Sequence, residues 1–146
     1  MIPWQKLANE LKTDPTLKDI SEEQIEATID VLLLTIYADK KVAFMEEAEL
    51  EHMLNELPWI KDKEEKVDLY VKATTERIKE LDNAELRAMA EAAAKKLDEP
   101  QVRQKVYEMA VTLAGADMEV SAEEKEVLGW LAECFEIPED KRAGTA

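Results

Sequence analysis

Apolar residues recur along most of the chain at the three-to-four-residue spacing of a helix, and no useful stretch alternates as a strand would. The pattern begins over residues 3–12, where Pro3 suits a first helical turn and Trp4, Leu7, Ala8 and Leu11 share one side. Thr13-Asp14-Pro15-Thr16 interrupts it. Ser21-Glu22-Glu23-Gln24 then has the form of a capping box, in which the serine hydroxyl and the glutamine amide each accept a free backbone N–H at a helix start. The helix that follows places Ile25, Ile29, Leu32, Leu33 and Ile36 at helical spacing. From Val31 to Ala38 the apolar character runs nearly all round, which predicts a central helix packed on several sides.

Further along, residues 45–57 predict an amphipathic helix with Leu50, Met53, Leu54 and Leu57 inward, ended by Pro58-Trp59. Residues 63–81 predict another through Val67, Tyr70, Val71, Thr74 and Ile78. Asp82-Asn83 breaks the pattern, with Asn83 the expected N-cap of a helix over 84–97 that carries Leu86, Met89, Ala90, Ala93 and Leu97. Pro100 opens the next helix, whose core side is Val102, Val106, Met109, Ala110 and Leu113. The last starts at Ser121, buries Val127, Leu128, Leu131, Ala132 and Phe135, and stops at Ile137-Pro138, leaving 139–146 as a frayed tail. The reading is one all-α domain over 1–146, of about seven helices, with its core in residues 21–138.

One stretch is written twice. Ala38, Asp39, Val42, Glu46 and Leu50 recur as Ala116, Asp117, Val120, Glu124 and Leu128, a shift of 78 positions. Each copy follows an apolar helix and precedes an amphipathic one, so the unit is helix, acidic corner, helix, with an internal pseudo-two-fold relation between 25–37 and 103–115. The second corner alone has a structural explanation: Ser121 and Glu124 form a capping box and Asp117 shapes the turn. In the first corner Ala43 stands in place of the serine, so no reciprocal box forms, yet Glu46 keeps its spacing from Asp39. The helix dipole favours a glutamate there by roughly 0.3–1 kcal/mol but does not set its pairing with an aspartate. A shared role for the carboxylates is cation binding, because a hard divalent ion relieves their mutual repulsion. The candidate ligands are Asp39, Glu46, Asp117 and Glu124, with Glu47, Glu119 and Glu123 adding charge. Oxygen donors suit Ca²⁺, Mg²⁺ or Mn²⁺ better than a soft metal.

Charge and rare residues narrow the function classes. At a formal −15, the chain repels a nucleic-acid backbone or an anionic membrane and suits cations or a basic protein partner. A single cysteine, Cys134, excludes an internal disulfide and is expected as a buried, unreactive thiol. An EF-hand loop fails at both corners: from Asp39 the third, fifth and twelfth positions are Lys41, Ala43 and Leu50, and from Asp117 the twelfth is Leu128. Glu49-x-x-His52 has di-iron spacing, but His52 is the single histidine and such a centre needs two. A histidine-based nucleophilic triad would also depend on His52, and no Gly-rich phosphate loop is present. Trp4, Trp59 and Trp130 lack the basic neighbours of a base-stacking surface and are expected at the core edge or against a partner. No signal-peptide pattern opens the chain and no apolar run is long enough to span a bilayer, so a cytoplasmic protein without membrane insertion is expected.

The two corners, Ala38-Asp39 to Leu50 and Gly115-Ala116-Asp117 to Leu128, resemble the A-D-G-x-[IV]-x-x-x-E signature of the TerB-like family, which includes tellurite resistance proteins and the N-terminal region of the membrane-anchored co-chaperone DjlA. The resemblance extends from Ser21 to Pro138. It implies an all-α fold of about seven helices with internal pseudo-symmetry, a role in tellurite resistance or a broader stress response, and no established enzyme activity. It also implies a metal-binding role for the acidic positions, here Asp39, Glu46, Asp117 and Glu124, and it admits a basic or membrane-associated protein partner. The chain departs from the signature where glycine is replaced by Lys40 and Met118; Lys40 and Lys41 beside Asp39 make the second corner the better site. The alternative is an acidic protein-interaction scaffold in which the corners are caps and no metal binds.

Overall fold

The computed structural model describes residues 21–37, 64–114 and 122–141. Among them are five α-helices and no strand: α1 (Glu22–Ile36), α2 (Glu64–Ile78), α3 (Asn83–Lys96), α4 (Pro100–Ala114) and α5 (Ala122–Cys134), then a short 3₁₀ turn at Glu139–Lys141. The all-α class holds. The two further helices expected over 3–12 and 45–57, and the end of the tail, lie outside the described residues.

α1 is the centre of the molecule. Its start is the capping box expected from Ser21: Gln24 N–H donates to Ser21 Oγ at 3.2 Å and Ser21 N–H to Gln24 Oε1 at 3.0 Å. Every residue from Ala27 to Ile36 is buried, and α1 packs against all four other helices. The two buried threonines on this helix satisfy themselves locally. Thr28 donates to the Gln24 carbonyl at 2.8 Å and Thr35 to the Val31 carbonyl at 2.9 Å, so neither needs a partner from a neighbouring helix.

α2 runs parallel to α1. At the start, Lys66 Nζ meets Glu22 at 3.5 Å; at the end, the Lys79 ammonium lies 5.9 Å from the Tyr37 ring centroid. The helix ends at Ile78, short of the expected 81, because Glu80 and Leu81 N–H groups turn back to the Arg77 and Ile78 carbonyls in a tightened last turn.

The expected cap of α3 is displaced by one residue. Asp82, not Asn83, caps it: Glu85 N–H donates to Asp82 Oδ1 at 2.8 Å and Asp82 N–H to Glu85 Oε1 at 3.2 Å. Asp82 wins because it puts Glu85 at the reciprocal position of the box, where Asn83 would have put Leu86. Gln24 Nε2 donates to the Lys96 carbonyl at 3.4 Å, so the end of α3 lies at the start of α1 and the two are antiparallel. Buried Ala90, Ala93 and Ala94 on α3 permit a close approach.

α4 begins at Pro100 as expected. Arg103 in its first turn donates to the Leu97 carbonyl and, at 2.8 Å, to the Ala94 carbonyl, occupying acceptors that the end of α3 leaves open. Beyond them it reaches Glu136 at 3.8 Å, so the end of α5 returns to the start of α4. Helices α1 and α4 are both 15 residues long, and their bounds, 22–36 and 100–114, differ by the same 78 positions as the two corners.

α5 ends in a Schellman motif: Ile137 N–H donates to the Ala132 carbonyl and Glu136 N–H to the Glu133 carbonyl, with Ile137 buried behind them. The motif needs a left-handed residue, and Glu136 adopts φ 54° there, a conformation that costs a residue with Cβ roughly 1–2 kcal/mol. Its ion pair with Arg103 offsets little, since the Glu136 side chain is 84% exposed. Conversely Gly129 lies mid-helix, where an added Cβ would meet nothing within 4 Å. Glu136→Gly is therefore expected to stabilise the fold by about 0.5–1 kcal/mol, and Gly129→Ala by about 1 kcal/mol. Urea denaturation of each variant checks both, and unchanged or lowered midpoints would contradict them.

Candidate functional site

Of the residues singled out for cation binding, Asp39, Glu46 and Asp117 lie outside the described residues. Glu124 is the third residue of α5, so its backbone is in the helix's first turn, while its side chain lies outside the description. The supporting Glu47 and Glu119 and the single His52 also fall outside. What is described is the frame that leads to them. α1 ends at Ile36, just before the first corner; α4 ends at Ala114, just before the second, and α5 leaves the second at Ala122. α4 packs on both α1 and α5. Among the described residues, no three His, Cys, Asp or Glu side chains come together as a metal cluster.

A different site is described in full. The run Thr28-Ile29-Asp30-Val31-Leu32 carries an acid into the most buried helix, and Asp30 is only 7% exposed. The α2 residue Tyr70 donates its hydroxyl to Asp30 Oδ1 at 2.7 Å. Arg77 from α2 and Lys96 from α3 act on the same carboxylate through space. These four residues, with Leu81 and Met89, line a cleft of about 300 Å³ between α1, α2 and α3. Asp30 is not among the site residues that the sequence pattern predicts. Its signal is present nonetheless: an acid one turn beyond Glu26, immediately before the unbroken apolar run Val31-Leu32-Leu33-Leu34.

The electrostatics follow from the burial. Loss of solvation pushes the Asp30 carboxyl above the usual range, and the Tyr70 hydrogen bond, Arg77 and Lys96 pull it part of the way back. Burial and the adjacent Asp30 carboxylate hold the Tyr70 phenol well above its ordinary value, so it remains a donor throughout the neutral range. Cys134 is half-buried, and burial followed by Glu91 raises its thiol, which keeps it protonated and poorly nucleophilic, as its position on an apolar face predicts.

A carboxyl with a raised folded-state pKa opposes folding once it ionises: its unfavourable contribution is absent below the ordinary value and grows as pH rises through the folded-state value. Asp30→Asn keeps an oxygen for the Tyr70 hydroxyl and removes the buried charge. The variant is expected to gain stability relative to the parent as pH rises from 3 to 7, the gain levelling once Asp30 is fully ionised in the parent. Urea denaturation across that range measures it. A relative loss with rising pH would mean that Arg77 and Lys96 outweigh the burial.

Among the described residues, no helix is long and apolar enough to cross a membrane. Searches of curated proteins and of solved structures returned no match. The sequence model of the family described as "Tellurite resistance protein TerB" matches residues 25–145, a span that takes in both acidic corners and nearly all of the described helical frame. The chain belongs to the TerB family.

Proposed function

We propose that this chain is a non-enzymatic, cytoplasmic stress-response protein of the tellurite-resistance type, and that it binds a divalent cation through Asp117 and Glu124, with Asp39 and Glu46 as the weaker pair. The observation that carries the reading is the pairing of α1 with α4. They occupy windows 78 positions apart, pack against one another, and each leads directly into an acidic corner. Duplicated helices that both deliver an aspartate and a glutamate favour a role beyond capping. The donor chemistry is carboxylate oxygen, suited to Ca²⁺, Mg²⁺ or Mn²⁺, and a formal charge of −15 draws such ions toward the surface. Lys40 and Lys41 partly neutralise the first corner, which ranks it second.

A protein-interaction role is the second reading. Leu69 on α2 is 63% exposed, and together with the formal charge of −15 it suits a basic or membrane-associated protein partner carrying an apolar anchor. Under this reading the partner is retained in chelator and lost on charge reversal away from the corners.

Calorimetric titration with Ca²⁺, Mg²⁺, Mn²⁺ and Zn²⁺ distinguishes the two. Saturable binding of a hard ion is expected, abolished in Asp117→Asn/Glu124→Gln and only weakened in Asp39→Asn/Glu46→Gln. At a free-ion concentration of 100 times Kd, binding should stabilise the fold by about 2.7 kcal/mol. No saturable binding, or binding unchanged in the second-corner variant, would remove the cation role.

A further inference from the structure

We propose that the cleft between α1, α2 and α3 binds a small aliphatic amino acid, with its ammonium on the Asp30 carboxylate and its carboxylate on Arg77 and Lys96. The proposal uses none of the corner residues and does not rest on the cation reading.

The walls carry opposite charges that do not close on one another. Tyr70 is the one hydrogen-bond donor to Asp30 among the described residues; it takes Oδ1, and Oδ2 accepts none from them. Arg77 and Lys96 influence Asp30 electrostatically, but neither forms an ion pair with it. The described side-chain contact of Arg77 is a weak one, 3.9 Å to the Met89 sulfur. The chain has 34 acidic residues against 19 basic ones, yet two basic side chains line the same cavity with no carboxylate closing on either among the described residues. A buried carboxylate ordinarily needs a paired cation and filled lone pairs, and Asp30 has neither in full.

The arrangement selects the ligand class. A simple anion would meet Arg77 and Lys96 but be repelled by Asp30, and the Tyr70 hydroxyl is already engaged. A metal cation would find one carboxylate beside two positive side chains. A molecule with an ammonium at one end and a carboxylate at the other answers both walls. At about 300 Å³ the cleft stands at the small end of ligand pockets, which run to about 1,000 Å³. Leu81 and Met89, with Ala92 and Ala93, supply apolar lining for a short aliphatic side chain.

The test is an amide NMR titration of the whole chain with L-valine, L-leucine and L-methionine. Saturable shifts are expected for at least one, centred on residues of α1, α2 and α3 around Asp30. For that ligand, Arg77→Gln/Lys96→Gln should weaken binding at least about tenfold, the scale of losing charge-assisted hydrogen bonds. Both replaced side chains are exposed, so the fold is retained; Asp30→Asn supplies the matching loss on the other wall. Analogues of the bound amino acid lacking its ammonium or its carboxylate should each bind at least about tenfold more weakly. Absence of saturable shifts with all three, a smaller loss in the double variant, or an analogue binding as well as its parent overturns the proposal.

Discussion

The burial of α1 is the constraint on which everything else rests. From Ala27 to Ile36 its side chains are covered on all sides, so each of the other described helices must present an apolar stripe to it. Threonines on such a helix are tolerable because their hydroxyls return to carbonyls of the preceding turn. An aspartate has no such recourse: the preceding turn offers carbonyls, which are acceptors, and a carboxylate needs donors. Asp30 therefore forces a polar feature into the neighbouring helix, and Tyr70 is that feature. The cleft exists because one position of the central helix could not be satisfied from within it.

Two kinds of polar site thus coexist in one helical frame. The acidic corners are sequence features that follow the ends of α1 and α4. The Asp30 cleft lies on the flank of the core, where charge is costly and geometry is fixed by packing. The first kind is visible as a repeat. The second arises when three segments far apart in the chain, around residues 30, 70–77 and 89–96, come together.

That contrast explains how much was legible in the sequence. Local patterns carried the described helices, the Ser21 box and the inward faces, because each depends on residues within one turn or on the helical period. The cap of α3 went to Asp82 because a reciprocal glutamate outweighs the choice between aspartate and asparagine, information that was local but required testing both registers. The Glu136 turn was not legible, since nothing in its side chain announces a left-handed backbone; the motif is imposed by the burial of Ile137. For the cleft, the odd residue was legible and its partners were not. Tyr70 fits the pattern as one more inward residue of α2, and Arg77 and Lys96 lie off the apolar positions that the helical period marks.

The parallel run of α1 and α2 has a consequence for the reach of the chain. A helix of 15 residues is about 22 Å long, at about 1.5 Å per residue. Residues 38–63 must regain that length before α2 can begin beside the start of α1. Between α4 and α5, which lie antiparallel, the connection has no such distance to cover. An extended chain covers about 3.3–3.6 Å per residue, so the first connection needs a minimum of roughly seven residues as bare thread. Wound as helix, it needs roughly fifteen. The two acidic corners therefore face different tethering conditions. Residues removed from the first connection draw on a finite span, whereas the second has only the gap between the adjacent ends of α4 and α5 to bridge.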